Sequence, residues 1–248
     1  MKWTFRNLRR GIVAAGVLAV PVGAAWVFDV EAGAAFAGYN DVRVPNDGGT
    51  DLSLTEDLAA DPAAYYRLRG WFRIGDRHAV GLLGAPLRLR STGSVPRSVW
   101  FDGVEFAPGT PLTAKYRFDS YRLTYRYDLL RRPALVFGLG GTAKVRDASI
   151  TLEGGGRRAE TSNTGPVPLV NFALAWSLTE RWTFQVEGDA LVGPQGRAED
   201  VFAGFAYSLR DTLALRSGYR VLEGGADVGQ VYNFALVHFV GVGVTVTL

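Results

Sequence analysis

The last sixteen residues of the chain, 233–248, alternate between two kinds of side chain. One parity is apolar except for His238: it holds Phe234, Leu236, Val240, Val242, Val244, Val246 and Leu248. The other parity is smaller and more mixed. A period of two is the pattern of a β-strand with one apolar face. Because it continues to the final residue, where a soluble domain usually frays into polar residues, we interpret this stretch as the closing strand of a transmembrane β-barrel.

The same alternation recurs along the chain and predicts ten strands. Their approximate ranges are 26–37, 62–74, 78–90, 111–130, 135–152, 167–178, 182–192, 199–209, 212–223 and 233–248. Connections after odd strands are long or glycine-rich (40–60, 91–110, 154–166, 193–198, 224–232), and those after even strands are minimal (75–77, 131–133, 179–181, 210–211). Outer-membrane barrels combine short periplasmic turns, longer extracellular loops and an even strand number. The sequence therefore predicts an all-β fold, a transmembrane antiparallel up-and-down β-barrel of ten strands.

Two alternatives stay open at this point. One is a barrel of eight strands with a hairpin lying outside it. The other is a soluble, lipocalin-like barrel, which would place the apolar set inside. The fourth and fifth strands are longer than a bilayer requires, so we expect them to project beyond it as a paired ribbon. The loop 91–110 contains two short apolar stretches, 99–101 and 104–106, which predict a lid or a hairpin over the barrel mouth.

The face opposite the apolar one carries charged residues on nearly every predicted strand. Charge that faces hydrocarbon is costly, so these side chains are expected to point into the lumen. The predicted lumen charge network consists of Asp29, Glu31, Arg67, Arg69, Arg88, Arg90, Arg122, Arg126, Lys144, Arg146, Glu187, Asp189, Arg216 and Arg220. Ten strands enclose a narrow interior that side chains largely fill. Because isolated buried charge is unfavourable, we expect opposite charges to pair there.

The chain begins with the pattern of a secretory signal peptide. A cationic start is followed by the apolar run 11–25, which ends in small residues. Removing residues 1–25 takes away four Lys/Arg and no acid, which leaves 27 − 4 = 23 basic against 24 acidic residues. The basic balance of the full chain is thus no argument for a nucleic-acid partner. We predict a signal peptide, 1–25, an outer-membrane β-barrel, 26–248, and export to the outer membrane of a Gram-negative cell. An uncleaved anchor is the alternative, and Pro21 argues against it.

Metal and cofactor sites are not predicted. The chain has no cysteine and two histidines, which excludes a thiolate site and leaves no multi-histidine site. The glycine runs 154–156 and 224–225 lie between predicted strands, where glycine forms turns and not phosphate cradles.

Three functional classes are compatible with such a barrel. In the first, a salt-bridged lumen is a plug, and the protein has a structural or interaction role through the loops 40–60 and 91–110 and the ribbon. In the second, the basic excess lines a narrow pathway that favours anions. The third is a lipid-modifying enzyme, for which a histidine base is usual. Neither His78, beside a predicted turn, nor His238, on the lipid-facing parity, has a Ser, Asp or Glu at a triad-like spacing. We therefore expect no enzymatic activity.

Four blocks of the sequence carry a resemblance. They are FDGV at 101–104, TAKYRFDSYRLTYRY at 113–127, TAKVRDASITL at 142–152 and GYRVLEGGADVGQVYNFALVHF at 218–239. These blocks resemble a group of proteobacterial outer-membrane β-barrel proteins with no established activity, over most of the chain after residue 100. The pattern is more loosely similar to small barrels such as the OmpA transmembrane domain and OmpW. The resemblance implies a location and a fold.

We also expect partners for a barrel in the outer membrane. They are outer-membrane lipid, including lipopolysaccharide, and the barrel-assembly machinery during biogenesis. Such proteins commonly end in an aromatic residue that this machinery reads, whereas this chain ends in Leu248 after apolar residues at alternate positions. The partner of the extracellular loops is not identified by the sequence.

Overall fold

The computed structural model describes residues 25–194 and 196–248. The predicted signal peptide lies, apart from Ala25, outside these residues. The ten barrel strands are β1 (Ala25–Arg43), β2 (Ala63–Ile74), β3 (His78–Ala85, continued by Arg88–Gly93), β4 (Leu112–Arg132), β5 (Leu135–Gly154), β6 (Arg157–Ser177), β7 (Trp182–Gly193), β8 (Gly196–Arg210), β9 (Leu213–Val228) and β10 (Val231–Thr247). Both segments of β3 pair with β4 in one register, Ala85↔Ser120 and Arg88↔Arg117.

The sheet closes on itself. Each strand pairs antiparallel with the next, and β10 pairs with β1 from Val27↔Thr247 to Arg43↔Tyr232. Closure leaves no free edge in the part of the wall where all ten strands are present, as a bilayer requires. The prediction of a ten-stranded antiparallel barrel is confirmed, and the eight-stranded alternative is wrong.

The two ends of the barrel differ in their connections. One end has the tight turns 75–77, 133–134, 178–181 and 211–212, together with both ends of the described chain. The other end has two long loops, 44–62 and 94–111. The first loop adds short strand pieces at Leu52–Ser53 and Ala59–Ala60, and the second contains the hairpin of Val99–Phe101 with Val104–Phe106. The hairpin predicted for the second loop is therefore present.

Three predicted loops are wrong, because strands continue through most of their residues. Residues 154–166 are not a solvated loop: β5 and β6 meet at a two-residue turn, Gly155-Gly156, whose positive φ values of 57° and 76° suit glycine. The predicted loops 193–198 and 224–232 shrink in the same way. These segments lie toward the end of the barrel with the long loops, beyond the band of exposed apolar side chains on the outer wall. The outer face of the wall meets water there. Alternation between apolar and polar residues therefore fades there although the backbone stays extended.

In the part of the barrel nearer the tight turns, which we call its lower part, the wall has an apolar exterior and a polar interior. Leu82, Leu123 and Val242 are 64%, 52% and 66% exposed, while inward residues such as Arg122 and Thr124 are buried. A band of exposed apolar side chains is the exterior that lipid requires. Within the described residues there is no helix long and apolar enough to cross a membrane.

The height of the wall is uneven. Strands β4, β5 and β6 have 21, 20 and 21 residues, whereas β7 has 12. The predicted ribbon of β4 and β5 is present, and β6 is its third strand. The wall therefore rises on one side of the barrel mouth and is low beside it.

Candidate functional site in the lumen

Ten charged side chains meet in the middle of the lumen and form one connected set of ion pairs, which we name the lumen network. Its acidic members are Asp29, Glu31, Glu187, Asp189 and Asp200, and its basic members are Arg67, Arg69, Arg122, Arg216 and Arg220. The longer contacts Arg216–Glu31, at 3.7 Å, and Arg220–Glu187, at 3.9 Å, join its two halves. Five carboxylates balance five guanidinium groups, so the lumen network has no net formal charge. Its members lie on six strands, β1, β2, β4, β7, β8 and β9, and it therefore crosses the barrel interior.

Asp200 of β8 is the branch point of the lumen network. Its carboxylate accepts hydrogen bonds from Arg67 at 3.0 Å, from Arg220 at 2.8 Å and from Arg122. Arg122 also donates to Asp189 at 2.6 Å. Charge-assisted bonds of this kind are strong in a poorly hydrated interior. Three guanidinium groups on different strands are thus held by one carboxylate whose side chain is 2% exposed.

Two arginines and two acids complete the lumen network as a closed square. Arg69 contacts Asp29 at 3.2 Å and Glu187 at 2.6 Å, and Arg216 contacts the same two carboxylates at 3.1 and 2.8 Å. Neutral groups use remaining acceptor positions: the Tyr65 hydroxyl donates to Glu31 and the Thr245 hydroxyl to Asp29. Buried charges are tolerated when such additional bonds satisfy them.

The space left inside the lumen network is small. A cavity there has a volume of about 20 Å³ and is lined by Arg67, Arg126, Glu187 and neighbouring side chains. That is room for about one water molecule. Below it, toward the tight turns, Arg73 pairs with Asp128 at 2.8 Å. Buried ion pairs therefore cross the barrel interior at this height.

Three cations that were predicted to line the lumen face inward but lie outside the lumen network. The guanidinium of Arg126 lies 4.4 Å from the centre of the Trp71 ring, and the ammonium of Lys144 lies 4.6 Å from that of Phe118. Arg146 donates to the side-chain oxygen of Asn163. Aromatic faces attract cations, but no described carboxylate lies within ion-pairing distance of Lys144.

Arg88 and Arg90 were predicted to face the lumen, and this prediction is wrong. Both side chains are exposed on the outer face of β3, while their neighbours Leu87 and Leu89 are buried inside. Arg88 pairs there with Asp119 of β4. The rule that charge points inward holds only where hydrocarbon covers the outside. This segment of β3 lies above the apolar belt, so its outer face meets water and its inner face meets an apolar core.

Asp200 was missed by sequence reasoning, although a signal for it existed. It has the parity of Phe202, Gly204 and Ala206, opposite to the exposed parity of Val201 and Phe205. The strand was predicted to begin near residue 199, and a charged residue at its start has the appearance of a turn residue. Without Asp200 the predicted set had a large excess of cations. With Asp200 included and Arg88 and Arg90 outside, five carboxylates face eight inward cations. The charges balance within the lumen network because Arg126, Lys144 and Arg146 lie outside it.

An apolar core fills the other end of the lumen, and we name it the cap. The two long loops contribute Val44, Leu52, Leu54, Leu58, Val95, Val99, Phe101 and Phe106, which pack on the inner wall residues Leu87, Leu89, Leu112, Tyr116, Ile150, Leu152, Val237 and Phe239. Phe101 and Phe106 are 1% and 2% exposed. Burial of this much apolar surface stabilises the loops in the barrel mouth.

Polar contacts hold the two long loops to each other. Thr50 and Trp100 exchange a pair of hydrogen bonds, both 2.9 Å long, and the Asp102 amide donates to the Val44 carbonyl. At the surface, Arg97 binds both carboxylate oxygens of Asp57 at 3.0 and 2.6 Å. These hydrogen bonds lower the pKa of Asp57 below its ordinary value of 3.8, against the opposing effect of partial burial.

Both histidines lie on the outer wall. His78 accepts or donates a 2.8 Å hydrogen bond with the Tyr125 hydroxyl next to the 75–77 turn, and His238 is bonded to Tyr219. The positions agree with the sequence-based placement of each residue. Among the described residues, no group of three or more His, Cys, Asp or Glu side chains is arranged to hold a metal ion.

Comparison with solved structures places this barrel in a known architecture. The outer membrane protease OmpT from Escherichia coli has a TM-score of 0.58 at 11% identity, over 90% of this chain and 97% of that chain. The translocator domain of the autotransporter NalP from Neisseria meningitidis has a TM-score of 0.45 at 13% identity, over 94% and 91%. The Ail protein of Yersinia pestis has a TM-score of 0.38 at 9% identity, over 88% and 97%. No protein-family model matches the sequence, and no curated protein does. The fold is that of an outer-membrane β-barrel.

Proposed function

We propose that the protein is a non-conducting barrel of the Gram-negative outer membrane that acts through the parts projecting beyond the bilayer. The observation that supports this proposal is that two sets of buried side chains occupy the lumen at different heights. The lumen network fills the middle, and the cap fills the end with the long loops. What the protein offers to its surroundings is therefore its outer surface: the two folded loops and the tall wall of β4, β5 and β6.

The narrow anion channel is disfavoured by the charge balance. A pathway for anions needs unpaired positive charge along a hydrated route, whereas the five arginines of the lumen network are each paired with a carboxylate. Of the three inward cations outside the lumen network, Arg126 and Lys144 lie against aromatic rings, and Arg146 donates to Asn163. A solute would have to break several charge-assisted bonds and then displace the cap.

An enzymatic role is also disfavoured, and we propose that the protein is not an enzyme. The two histidines lie on the outer wall with tyrosines as partners, not beside a carboxylate and a nucleophile. A lipid-modifying activity that depends on His238 would contradict this proposal. The test is hydrolysis of labelled phospholipid by the reconstituted protein and its His238→Ala variant.

The outer wall supports a proposal about lipid partners. Trp26, Tyr66 and Trp182 are about half exposed and lie within the first four residues of their strands, and aromatic girdles of outer-membrane barrels lie at the membrane interfaces. We propose that outer-membrane lipid, including lipopolysaccharide, surrounds this wall. We propose also that the barrel-assembly machinery inserts the chain.

Planar-bilayer recording tests the proposed function. The mature chain, refolded and inserted, is expected to give no unitary current steps over the range of voltages that the bilayer withstands. A variant without residues 95–109 is the matched control: it lacks much of the cap but keeps the lumen network, and is also expected to be silent. An unrelated porin recorded in the same bilayer shows that insertion is detected. Stable unitary currents from the wild-type chain would establish a channel and refute the proposal.

A further inference from the structure

The tall wall ends in a strand edge with no partner. Strand β6 pairs with β5 along its whole length, from Gly154↔Arg157 to Leu135↔Trp176. It pairs with β7 only from Val170↔Ala190 to Ser177↔Thr183. Within the described residues, the segment 157–169 therefore has a neighbouring strand on one side only. We name it the free edge.

The direction of the backbone groups on the free edge can be assigned. Along a strand, successive N–H groups point to opposite sides. The Ser177 amide donates to Ala134 on the β5 side, and the Leu178 amide donates to Trp182 on the β7 side. No register shift occurs along β6 in either pairing. Odd residues of β6 therefore direct their N–H groups to β5, and even residues direct theirs to the free edge.

Two prolines support this assignment and explain where β7 stops. Pro166 and Pro168 have even positions, and their pairing with Val145 and Ala143 of β5 continues without interruption. Proline has no N–H to donate, so it is tolerated where the N–H would face away from the neighbouring strand. In the register of β6 with β7, Pro168 would lie opposite Val192, where the missing donor ends the ladder.

Above the prolines the free edge can form a ladder with another strand. Arg158, Glu160, Ser162 and Thr164 each direct one N–H and one C=O outward along the edge, over about 24 Å for seven residues at 3.4 Å each. Their side chains are exposed on the outer face. We propose that the free edge binds an extended segment of another polypeptide, which adds to the wall as an antiparallel strand directly above β7.

Charges on the outer face specify the chemistry of this partner. A row of alternating charge crosses the tall wall: Lys115 of β4 pairs with Glu153 of β5, which pairs with Arg158 of β6. Arg158 in turn contacts Glu160 at the edge. Residues directly opposite each other in a sheet are stabilised by opposite charge. The bound segment should therefore carry an acid opposite Arg158, a base opposite Glu160, and hydroxyl or β-branched residues opposite Ser162 and Thr164.

A second copy of this chain in the same membrane does not meet these requirements. Two copies inserted side by side stand in the same direction, so their β6 strands would be parallel and not antiparallel. The inference rests on the proposed interaction role, but an experiment can refute either one without refuting the other. A silent barrel that binds no strand would refute only the inference, and a conducting barrel that binds one would refute only the proposed function.

A designed peptide tests the proposal on the full mature chain, folded in detergent. The probe is Thr-Val-Thr-Val-Lys-Val-Glu, which places Lys opposite Glu160 and Glu opposite Arg158. The control peptide has Lys and Glu exchanged. We expect the probe to bind at least tenfold more tightly than the control, by fluorescence anisotropy. The double variant Arg158→Glu, Glu160→Arg should reverse this preference.

Two proline variants separate edge binding from loss of the fold. Ser162→Pro removes a free N–H and should keep the heat-modifiable migration of the folded barrel while lowering probe affinity at least tenfold. Thr161→Pro removes an N–H that β5 uses, and should instead disrupt the tall wall. Hydrogen exchange should be fast at Glu160, Ser162 and Thr164 and become slow with the probe. The proposal is overturned if the wild type binds neither peptide, if Ser162→Pro binds as well as wild type, or if these amides are already protected in a dimer.

Discussion

Arg122 of β4 and Asp200 of β8 lie on opposite walls of the barrel, and the Arg122 guanidinium donates a hydrogen bond to the Asp200 carboxylate across the lumen. Both side chains are 2% exposed. Strands far apart in the sheet are thus joined through the interior. The ion pairs that occupy the lumen are therefore also expected to stabilise the folded barrel.

Replacing Asp200 should destabilise the barrel more than replacing a carboxylate on the outer wall. Asp200→Ala leaves Arg67, Arg122 and Arg220 without a shared partner, and breaking a buried pair in this way costs on the order of 3–5 kcal/mol. The control is Asp147→Ala, which removes the partly exposed pair with Arg117 and should cost less than about 1 kcal/mol. Urea unfolding followed by tryptophan fluorescence measures both. Equal costs would show that the lumen network contributes little to stability.

Replacing Lys144 should not lower the free energy of unfolding, in contrast to replacing Asp200. Its ammonium is buried, lies over Phe118 and has no described carboxylate within ion-pairing distance. Lys144→Met keeps the length of the side chain and removes the desolvated charge, so we expect the free energy of unfolding to stay equal or increase. Arg122→Met, which removes a paired cation, should decrease it. A loss of stability in Lys144→Met comparable to that in Arg122→Met would contradict this account of Lys144.

Neighbouring glycines in β5 should respond differently to the same substitution. A Cβ at Gly140 would lie 1.9 Å from the Tyr125 carbonyl oxygen, whereas a Cβ at Gly141 meets no atom within 4 Å. Gly140→Ala therefore forces β4 and β5 apart and should lower the midpoint of thermal unfolding, while Gly141→Ala should leave it nearly unchanged. The temperature at which heat-modifiable migration is lost reports both. If the two variants melt alike, the close approach of the strands at Gly140 is not as described.

Acid should loosen the surface contact between the two long loops. The pKa of Asp57 is lowered in the folded protein by its hydrogen bonds to Arg97. A carboxyl group with a lowered folded pKa stabilises the fold above its unfolded pKa, and this contribution is lost as pH falls through the lower folded value. We therefore expect no change between pH 8 and 5, roughly, and faster proteolysis of the loops below about pH 4. Asp57→Asn should remove the pH dependence. Faster proteolysis of the loops already at neutral pH would contradict this explanation, because Asp57 is expected to be ionised there.

Much of the fold could be predicted because hydrocarbon imposes a strict rule on the wall. Where lipid covers the exterior, every second side chain must be apolar, so parity alone places Asp29, Glu31 and Arg122 inside. Above the lipid the rule reverses locally. Arg88 and Arg90 lie in water outside, while Leu87 and Leu89 pack against the cap inside. A sequence does not mark the height at which one regime replaces the other.

The pairing within the lumen network could not be predicted for a different reason. Parity shows which side chains point inward, but partners such as Arg122 and Asp200 are 78 residues apart in sequence. Their contact depends on the stagger of the strands and on the barrel diameter. The cap could be predicted only in part. The stretches 99–101 and 104–106 predicted a lid or hairpin over the mouth, but the contribution of Val44, Leu52, Leu54 and Leu58 from the other loop has no periodicity that marks it.

A lumen that is filled and not open to water is the feature on which the proposed function depends most. The chain has no cysteine, so a single introduced thiol reports on one position. Thr124 points into the lumen between Arg122 and Arg126 and is 6% exposed, whereas Glu105 is exposed on the second strand of the loop hairpin, opposite Trp100. With a small charged thiol reagent, we predict rapid labelling of the Glu105→Cys variant and no labelling of the folded Thr124→Cys variant until it is denatured. Rapid labelling of Thr124→Cys in the folded, membrane-inserted barrel would show a water-filled lumen and contradict the account.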